Sequence, residues 1–183
     1  QFTVTAEDQA FRLKMKHGEA TLSQLSVIPF RQRIGSAWVR MGGVAGVSTP
    51  PQYRLQNHAR ELLEATVQWM TDEGFHWSGL FGIPNFYNRF GYVTALPESH
   101  LSIATRYAEA AKLRHSIRGC REEDLQAVLA IYNETNARRT GIVERAPEHW
   151  QGFRRSTSWG AVPAVDVAAN DGGTVQGYVV YSK

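Results

Sequence analysis

The residues best suited to chemistry lie where a glycine-interrupted apolar run leads directly into the start of a helix. Residues 44–59 read VAGVSTPPQYRLQNHA. A helix N-terminus presents free N–H groups and the positive end of the helix dipole, so it is a natural site for an anion. Arg54 adds a guanidinium there, Gln56 and Asn57 add amides, and His58 adds an imidazole. The segment suits a phosphorylated ligand, and it is equally compatible with an ordinary strand-to-helix turn that carries exposed polar residues.

The cysteine and histidine residues of the sequence do not indicate a metal site or a disulfide. Cys120 is the single cysteine, so it can close no internal disulfide and cannot build a thiolate zinc site. The six histidines are scattered, without the i, i+4 or short-loop pairing that metal sites use. We therefore expect no metal, and a reducing cytoplasmic location.

Composition and net charge limit the kinds of ligand or partner that the chain is expected to bind. The chain has 183 residues, of which 43% are hydrophobic and 20% charged, which is typical of a folded globular protein. No apolar stretch approaches the ~18 residues that a membrane span needs, and no signal sequence opens the chain. The net charge of +3 is too small for a nucleic-acid-binding field and favours a small anionic ligand. We expect neither a membrane nor a nucleic-acid partner.

The elements that must position the glycine-interrupted segment follow an α/β order. Residues 20–30 and 38–47 predict two antiparallel strands, and the glycines of the second indicate a bulge or a close backbone approach. Apolar residues recur at helical spacing over residues 57–73, namely Ala59, Leu62, Leu63, Thr66, Val67 and Met70, and Gly74 ends that helix. A buried strand is predicted at 76–81. Because the predicted helix connects the second strand to this one as a crossover, the two strands are expected to pair in parallel.

Two further segments flank these elements. Residues 84–90 predict a short helix that begins at Pro84 and stops at Gly91, with a return to strand from Tyr92. Residues 1–19 show no convincing period, so we expect an irregular end or the remains of a cut element.

A second pattern begins after residue 110. A strand at 116–118, a helix within 121–137, a second helix at 147–155 and a terminal hairpin are predicted there. We assign residues 1–110 and 111–183 to separate domains. The hairpin has few elements to pack against, so the second domain is expected to be incomplete.

At this point the sequence resembles a known family. VAGVSTPPQYRLQNHARELL followed by FYNRFGY resembles the GCN5-related N-acetyltransferases (GNAT), whose phosphate loop has the form Arg/Gln-x-x-Gly-x-Gly/Ala. The loop here is Arg54-x-x-Asn57-x-Ala59, in which Asn57 replaces a glycine; asparagine visits the left-handed region more readily than most residues. SVIPFRQRIGSAWVRMGGVAGVSTPPQYR with SGLFGIPNFYNRFGY is similar to the Eis-like branch, which carries two acetyltransferase domains in tandem.

The resemblance implies a fold. It is an α/β (α+β) fold with a mixed, mainly antiparallel GNAT-type sheet, a splayed parallel strand pair and flanking helices, followed by part of a second GNAT-like domain. In the Eis-like pattern the opening elements of the first domain and the later parts of the chain are missing here, which implies a fragment. The resemblance also implies a homo-oligomer for the full-length protein.

The same resemblance implies residue roles. Acetyl-CoA would lie in the splay between the parallel strands, with backbone groups of Val47 and Thr49 on its pantetheine. The pyrophosphate would be held by Arg54, Leu55, Gln56, Asn57, His58, Ala59 and Arg60. Tyr87 matches the tyrosine that protonates the departing thiolate, a task that suits a neutral phenol. From composition alone Tyr87 would be a packing aromatic, and no general base can be placed, since Glu98 and His100 are as readily solvated strand ends.

Three hypotheses remain. The first is an N-acetyltransferase in which a small primary amine attacks acetyl-CoA directly. The second is a catalytically incomplete module, derived from an acetyltransferase, that binds CoA or serves in assembly. The third joins the unit that begins at Ser116 to residues 20–103 as one permuted acetyltransferase, which the usual adjacency of sequential elements disfavours.

Overall fold

The structure contains two compact units. The computed structural model of the 183-residue chain describes residues 1–7, 9–83, 85–95, 102–145 and 163–181. The first unit comprises residues 1–97 and 139–144, and the second comprises residues 98–138 and 145–183. Each unit has its own sheet.

The first unit is built on a five-stranded sheet. Its strands are β1 (Phe2–Glu7), β2 (Ala10–His17), β3 (Ala20–Ile34), β4 (Ala37–Ser48) and β5 (Trp77–Gly79), in that spatial order. Neighbours among β1 to β4 are antiparallel, whereas β4 and β5 run parallel. The predicted antiparallel and parallel pairings are both confirmed.

Residues 1–19 are not irregular, so that expectation was wrong. They form β1 and β2, which pair in an antiparallel hairpin. Phe11, Leu13 and Met15 alternate along β2, with Leu13 fully buried and the other two packed against the core. The polar residues between them complete the two-residue period of a half-buried strand, so this local signal was present in the sequence and was missed. Pairing with β3 fixes the register of the strand.

The β3–β4 hairpin is longer than predicted. The strands extend to Ile34 and Ala37 around a turn with Gly35 at a φ of 59°. β2 pairs with β3 only as far as Val27. Beyond it, residues 141–144 pair with the free edge of β3, through Arg33 N–H to Ile142 O at 2.9 Å and reciprocal bonds.

The predicted helix is α1 (His58–Asp72), within one residue of the expected bounds. It packs on β2, β3 and β4. Leu62, Leu63, Thr66 and Met70 are buried as predicted, and they join a core with Leu13, Leu25, Val27, Val44 and Phe75. Val67 is 36% exposed, contrary to prediction. Gly74 follows the helix at a φ of 74°, a left-handed conformation that favours glycine.

The chain after α1 is less regular than expected. β5 has only three residues, none of them buried, and Phe81 is 99% exposed, so the prediction of a buried strand over 76–81 was wrong in extent and burial. A 3₁₀ helix, Tyr87–Phe90, ends at Gly91 with a φ of 86°. Residues 92–95 form no strand, which corrects the predicted return to strand. Pro84 lies outside the described residues.

The second unit has a three-stranded antiparallel sheet. Its elements are α2 (Thr105–Glu109), β6 (Ser116–Gly119), a 3₁₀ turn at Glu122–Asp124, α3 (Leu125–Asn136), β7 (Ala164–Ala169) and β8 (Val175–Tyr181), with strand order β6-β7-β8. α3 packs on β8, and Val128, Leu129 and Val167 are buried. The terminal hairpin and the helix within 121–137 are confirmed.

Some predictions are not tested by these elements. The helix expected at 147–155, together with Glu98 and His100, lies outside the described residues. The domain boundary near residue 110 and the GNAT-like character of residues 111–183 stay predictions. None of the described helices combines the length and apolar character needed to cross a membrane.

Candidate acetyl-CoA site

The parallel strands β4 and β5 are paired over a short stretch only. Their register joins Met41 to Trp77, Gly42 to Ser78 and Gly43 to Gly79, and β4 then continues alone to Ser48. On the side facing β5, the backbone of residues 44–48 therefore has no strand partner among the described residues. This edge of β4 has N–H and C=O groups available to a ligand.

A β-bulge lies in the unpaired part of β4. Ala45 pairs with Ser26 and Ser48 pairs with Gln24, so Gly46 and Val47 together lie opposite Leu25. Gly46 has a φ of 62°, which glycine adopts without the Cβ penalty. The glycines at 42 and 43 serve packing instead: a Cβ on Gly42 would lie 2.6 Å from Met70 Sδ, and one on Gly43 would lie 2.6 Å from the Phe30 ring.

Side chains fix the end of β4. Ser23, fully buried, has its Oγ 3.0 Å from Thr49 Oγ1 and donates to Ser48 O at 3.1 Å. Thr49 O accepts from Arg54 Nε at 3.1 Å. The guanidinium of Arg54 is exposed and is oriented by the strand end that precedes it.

The phosphate-loop segment turns through left-handed backbone before α1. Leu55 has a φ of 61° and is fully exposed, and Asn57 has a φ of 65°. Asn57 therefore adopts the conformation expected of the glycine it replaces. Its side chain makes no capping hydrogen bond. The first amides of α1 thus lack both intrahelical acceptors and a side-chain cap, as an anion site requires.

The other predicted residues of the loop offer less positive charge to an anion than the sequence indicates. His58 is only 18% exposed; its ring packs edge-on to Tyr53, with its Nδ1 3.8 Å from the Glu61 carboxylate, beyond hydrogen-bond distance. Arg60 is paired with Glu64 at 3.0 Å. Glu61, in the first turn, opposes part of the positive potential. Arg54 and the backbone amides are the better anion ligands, and Gln56 donates to Gln52 O instead.

Tyr87 lies at the start of the 3₁₀ helix with its ring partly buried. Its ring packs against Phe86 at a centroid distance of 4.9 Å and against Tyr92 at 6.1 Å. Burial raises the pKa of Tyr87 above the ordinary 10.0, so the phenol is neutral at physiological pH. Its hydroxyl makes no hydrogen bond to the described residues, which leaves the O–H free to donate.

Two polar residues near Tyr87 were not predicted. Ser78 Oγ donates to Gly42 O at 2.9 Å and is 2.9 Å from Tyr92 Oη. Burial raises the pKa of Tyr92, partly offset by the Ser78 bond. Tyr92 is the last residue of the FYNRFGY segment, although no role was assigned to it there. Nothing in the one-dimensional pattern distinguishes Ser78 from other strand residues, because its contact with Tyr92 depends on the β4–β5 register.

The structure brings the predicted cofactor residues into one segment. Residues 47–60 run continuously from the bulge through the loop to the first turn of α1, and both Val47 and Tyr87 border the same hydrophobic core. Within the described part of the chain, no group of three or more His, Cys, Asp or Glu is placed to hold a metal ion.

Comparison with known proteins relates the first part of the chain to a described family. A family model described as "Acetyltransferase (GNAT) domain" matches residues 5–95. Residues 5–95 are therefore similar to GNAT acetyltransferase domains. Members of that family take their acyl group from acetyl-CoA. No curated protein matches the chain.

Two solved structures share the fold. A conserved protein of unknown function from Enterococcus faecalis V583, described as a probable N-acyltransferase, superposes with a TM-score of 0.69 at 16% identity, over 94% of this chain and 44% of that one. A GCN5-related N-acetyltransferase from Anabaena variabilis ATCC 29413 superposes with a TM-score of 0.62 at 17% identity, over 92% and 43%. The chain therefore has the mixed GNAT-like fold, and it spans less than half the length of these two proteins.

Proposed function

We propose that the protein is an N-acetyltransferase that transfers the acetyl group of acetyl-CoA to a small primary amine by direct attack. The observation that carries this proposal is that β4 continues beyond Gly43 without its parallel partner, with the bulge at Gly46 and the uncapped start of α1 following in sequence. A strand edge with free backbone groups suits an extended amide-containing chain, and uncapped helix amides suit a pyrophosphate.

The proposed roles follow from these positions. Backbone groups of Val47 and Thr49 bind the pantetheine arm. Arg54 and the amides of residues 55–60 hold the pyrophosphate. The neutral amine attacks the thioester carbonyl, and a backbone N–H of the bulged strand stabilises the oxyanion. The C–S bond then breaks as Tyr87 donates its proton to the departing thiolate sulfur, and the new amide nitrogen releases one proton to solvent, from which Tyr87 is reprotonated.

Further features of this proposal rest on the motif resemblance alone. They are membership of the Eis-like branch, a cytoplasmic location and a homo-oligomeric full-length protein. The primary-amine acceptor is proposed from the same resemblance to N-acetyltransferases.

The proposal is tested in two steps on the full-length protein. Calorimetric titration with acetyl-CoA measures the cofactor site, and release of free thiol in the presence of polyamines, aminoglycosides or peptide lysines measures transfer. We expect saturable binding and amine-dependent thiol release. Binding without release for any amine would support the alternative of a CoA-binding module. Absence of binding would contradict the transferase and the CoA-binding module and leave only an assembly role.

A further inference from the structure

The surroundings of Tyr87 contain a hydrogen-bonded chain that the proposed reaction does not use. It begins at the carbonyl of Gly42, the last but one residue of β4 that is paired with β5. Ser78 Oγ donates to that carbonyl at 2.9 Å and lies 2.9 Å from Tyr92 Oη. The chain Gly42–Ser78–Tyr92 thus starts within the short stretch over which the two parallel strands are paired.

The far end of this chain contacts Tyr87. The Tyr92 ring packs against the Tyr87 ring at a centroid distance of 6.1 Å and an interplanar angle of 75°, an edge-to-face arrangement. The Tyr92 N–H also donates to Tyr87 O at 3.4 Å. Tyr92 therefore touches Tyr87 through both its ring and its backbone.

The remaining contacts leave the Tyr87 ring little freedom. A Cβ at Gly82 would overlap the Tyr87 ring, so this glycine allows the backbone to approach the ring closely. Phe86 packs edge-on to Tyr87 at 4.9 Å. Since the Tyr87 hydroxyl bonds to none of the residues that the structure describes, Tyr87 is positioned by packing there, and Tyr92 is a packing partner that is itself fixed by hydrogen bonds.

We propose that Tyr92 and Ser78 are positioning residues for Tyr87, holding the phenol at a fixed distance from the opening between β4 and β5. The proposal rests on the proposed function, because the position matters only if Tyr87 serves as the acid. Removing the Tyr92 hydroxyl frees the ring to rotate and lets the Tyr87 ring shift toward solvent. A displacement of about 1 Å at a catalytic group can cost about 10²-fold in rate.

The experiment compares Tyr92→Phe, Ser78→Ala, Ser78→Thr and the double variant Tyr92→Phe with Ser78→Ala. We expect Tyr92→Phe and Ser78→Ala each to lower kcat by about 10-fold with KM for acetyl-CoA unchanged. Ser78→Thr, which keeps the hydroxyl, should restore most of the rate. The double variant should be no slower than Tyr92→Phe, since residues that act as a unit are not additive.

A second readout does not depend on activity. Burial holds the pKa of Tyr87 above 10.0, and Tyr92 is the titratable side chain with which it interacts electrostatically in the described part of the chain. If Tyr92→Phe lets Tyr87 gain solvent, the pKa of Tyr87 falls toward 10.0, and the alkaline limb of the rate profile moves down with it. The ¹³Cζ resonances of the seven tyrosines report this titration, with Tyr87→Phe assigning the signal.

Matched controls are available in the second unit. Tyr107→Phe removes a hydroxyl from an exposed tyrosine, and Ser116→Ala removes a strand serine that donates to Ala169 O at 3.2 Å. Both should leave kcat and the Tyr87 titration unchanged. An unchanged Tyr87 titration in Tyr92→Phe would overturn the positioning role, as would a rate equal to the parent. A parent protein that transfers no acetyl group would contradict the proposed function, and the titration would still decide whether Tyr92 holds Tyr87.

Discussion

At the residue scale, Tyr87 combines a neutral phenol, a free hydroxyl and a tightly packed ring. These are the properties of a general acid that must donate one proton at a fixed place. Phenylalanine at this position keeps the contacts with Phe86 and Tyr92 and removes only the proton donor. We expect Tyr87→Phe to lower turnover by about 10²–10⁴-fold while acetyl-CoA binding is retained. Steady-state kinetics and calorimetry on the full-length protein measure the two quantities.

The pH dependence supplies the matching test for Tyr87. A general acid must be protonated, and burial raises its pKa above 10.0, so activity should fall only above that pH. The alkaline limb should disappear in Tyr87→Phe, whose residual rate has no phenol to titrate. A parent rate in Tyr87→Phe, measured while chemistry limits, would return Tyr87 to a packing role.

Arg54 is the second residue with a proposed contact to the ligand. Its Nε is held by Thr49 O, which leaves its terminal nitrogens free to face an anion beside the first turn of α1. We expect Arg54→Ala to weaken acetyl-CoA binding by roughly 1.5–3 kcal/mol, the scale of a charge-assisted hydrogen bond. Calorimetry measures the change. Arg121→Ala, which removes an exposed arginine paired with Glu123 in the second unit, is the control and should bind as the parent does. Equal affinities for the two variants would place the pyrophosphate elsewhere.

At the element scale, the sequence predicted the elements whose bounds and pairing depend on residues close to them in the chain. α1 was found within one residue because its apolar face, its preceding turn and Gly74 all indicate the same bounds. Asn57 was expected to visit left-handed backbone and does so. The parallel β4–β5 pair follows from the crossover rule, and the bulge from the glycines of β4.

β2 was overlooked although Phe11, Leu13 and Met15 alternate with polar residues, a period that indicates a half-buried strand. Contacts that depend on distant partners were not found. Residues 141–144 pair with β3 more than a hundred positions earlier in the sequence, and no local signal indicates that pairing. Ser78 and Tyr92 are joined only because the register of β5 faces Gly42. Sequence therefore indicated the cofactor segment, which is contiguous, and missed the surroundings of Tyr87, which are not.

One carboxylate holds the 3₁₀ turn that leads into α3. Asp124 accepts from both terminal nitrogens of Arg118, at 2.6 and 2.8 Å, and from the Arg121 N–H at 2.8 Å. Arg118 and the Arg121 amide lower the pKa of Asp124 from 3.8 to about 2. Because the folded-state pKa is depressed, the stability it contributes is present above about pH 4 and is lost as the pH falls toward 2.

Replacement of this carboxylate should weaken the second unit. Asp124→Asn removes the negative charge that accepts hydrogen bonds from the Arg118 side chain and the Arg121 N–H. We expect a loss of about 1–3 kcal/mol in the free energy of unfolding near neutral pH. Hydrogen exchange of α3 amides measures it. Asp171→Asn, at an exposed turn, should change stability by less than about 0.5 kcal/mol. A variant that matches the parent at pH 7 and differs from it only near pH 2 would contradict the expected sign.

At the scale of the whole molecule, the predicted site lies entirely within the first unit. The unpaired edge of β4, the loop and the first turn of α1 are continuous in sequence, and Tyr87 borders the same core. The family model covers the corresponding residues, 5–95. Ligand binding should therefore stabilise this unit, by about 2.7 kcal/mol at a ligand concentration 100 times Kd.

Hydrogen exchange resolves that stabilisation along the chain. With saturating acetyl-CoA, we expect slower exchange at residues 44–49 and 55–60, because the free amides of the bulged strand and of the α1 start become hydrogen-bonded to the ligand. Amides of β6, β7 and β8 should exchange at the same rate with and without ligand. Arg54→Ala at the same ligand concentration should lose part of the protection at 55–60 and keep that at 44–49, since the two segments are proposed to hold different parts of the molecule. Protection confined to the strands of the second unit would contradict the placement of the site, and protection spread evenly over both units would indicate general stabilisation in place of local contact.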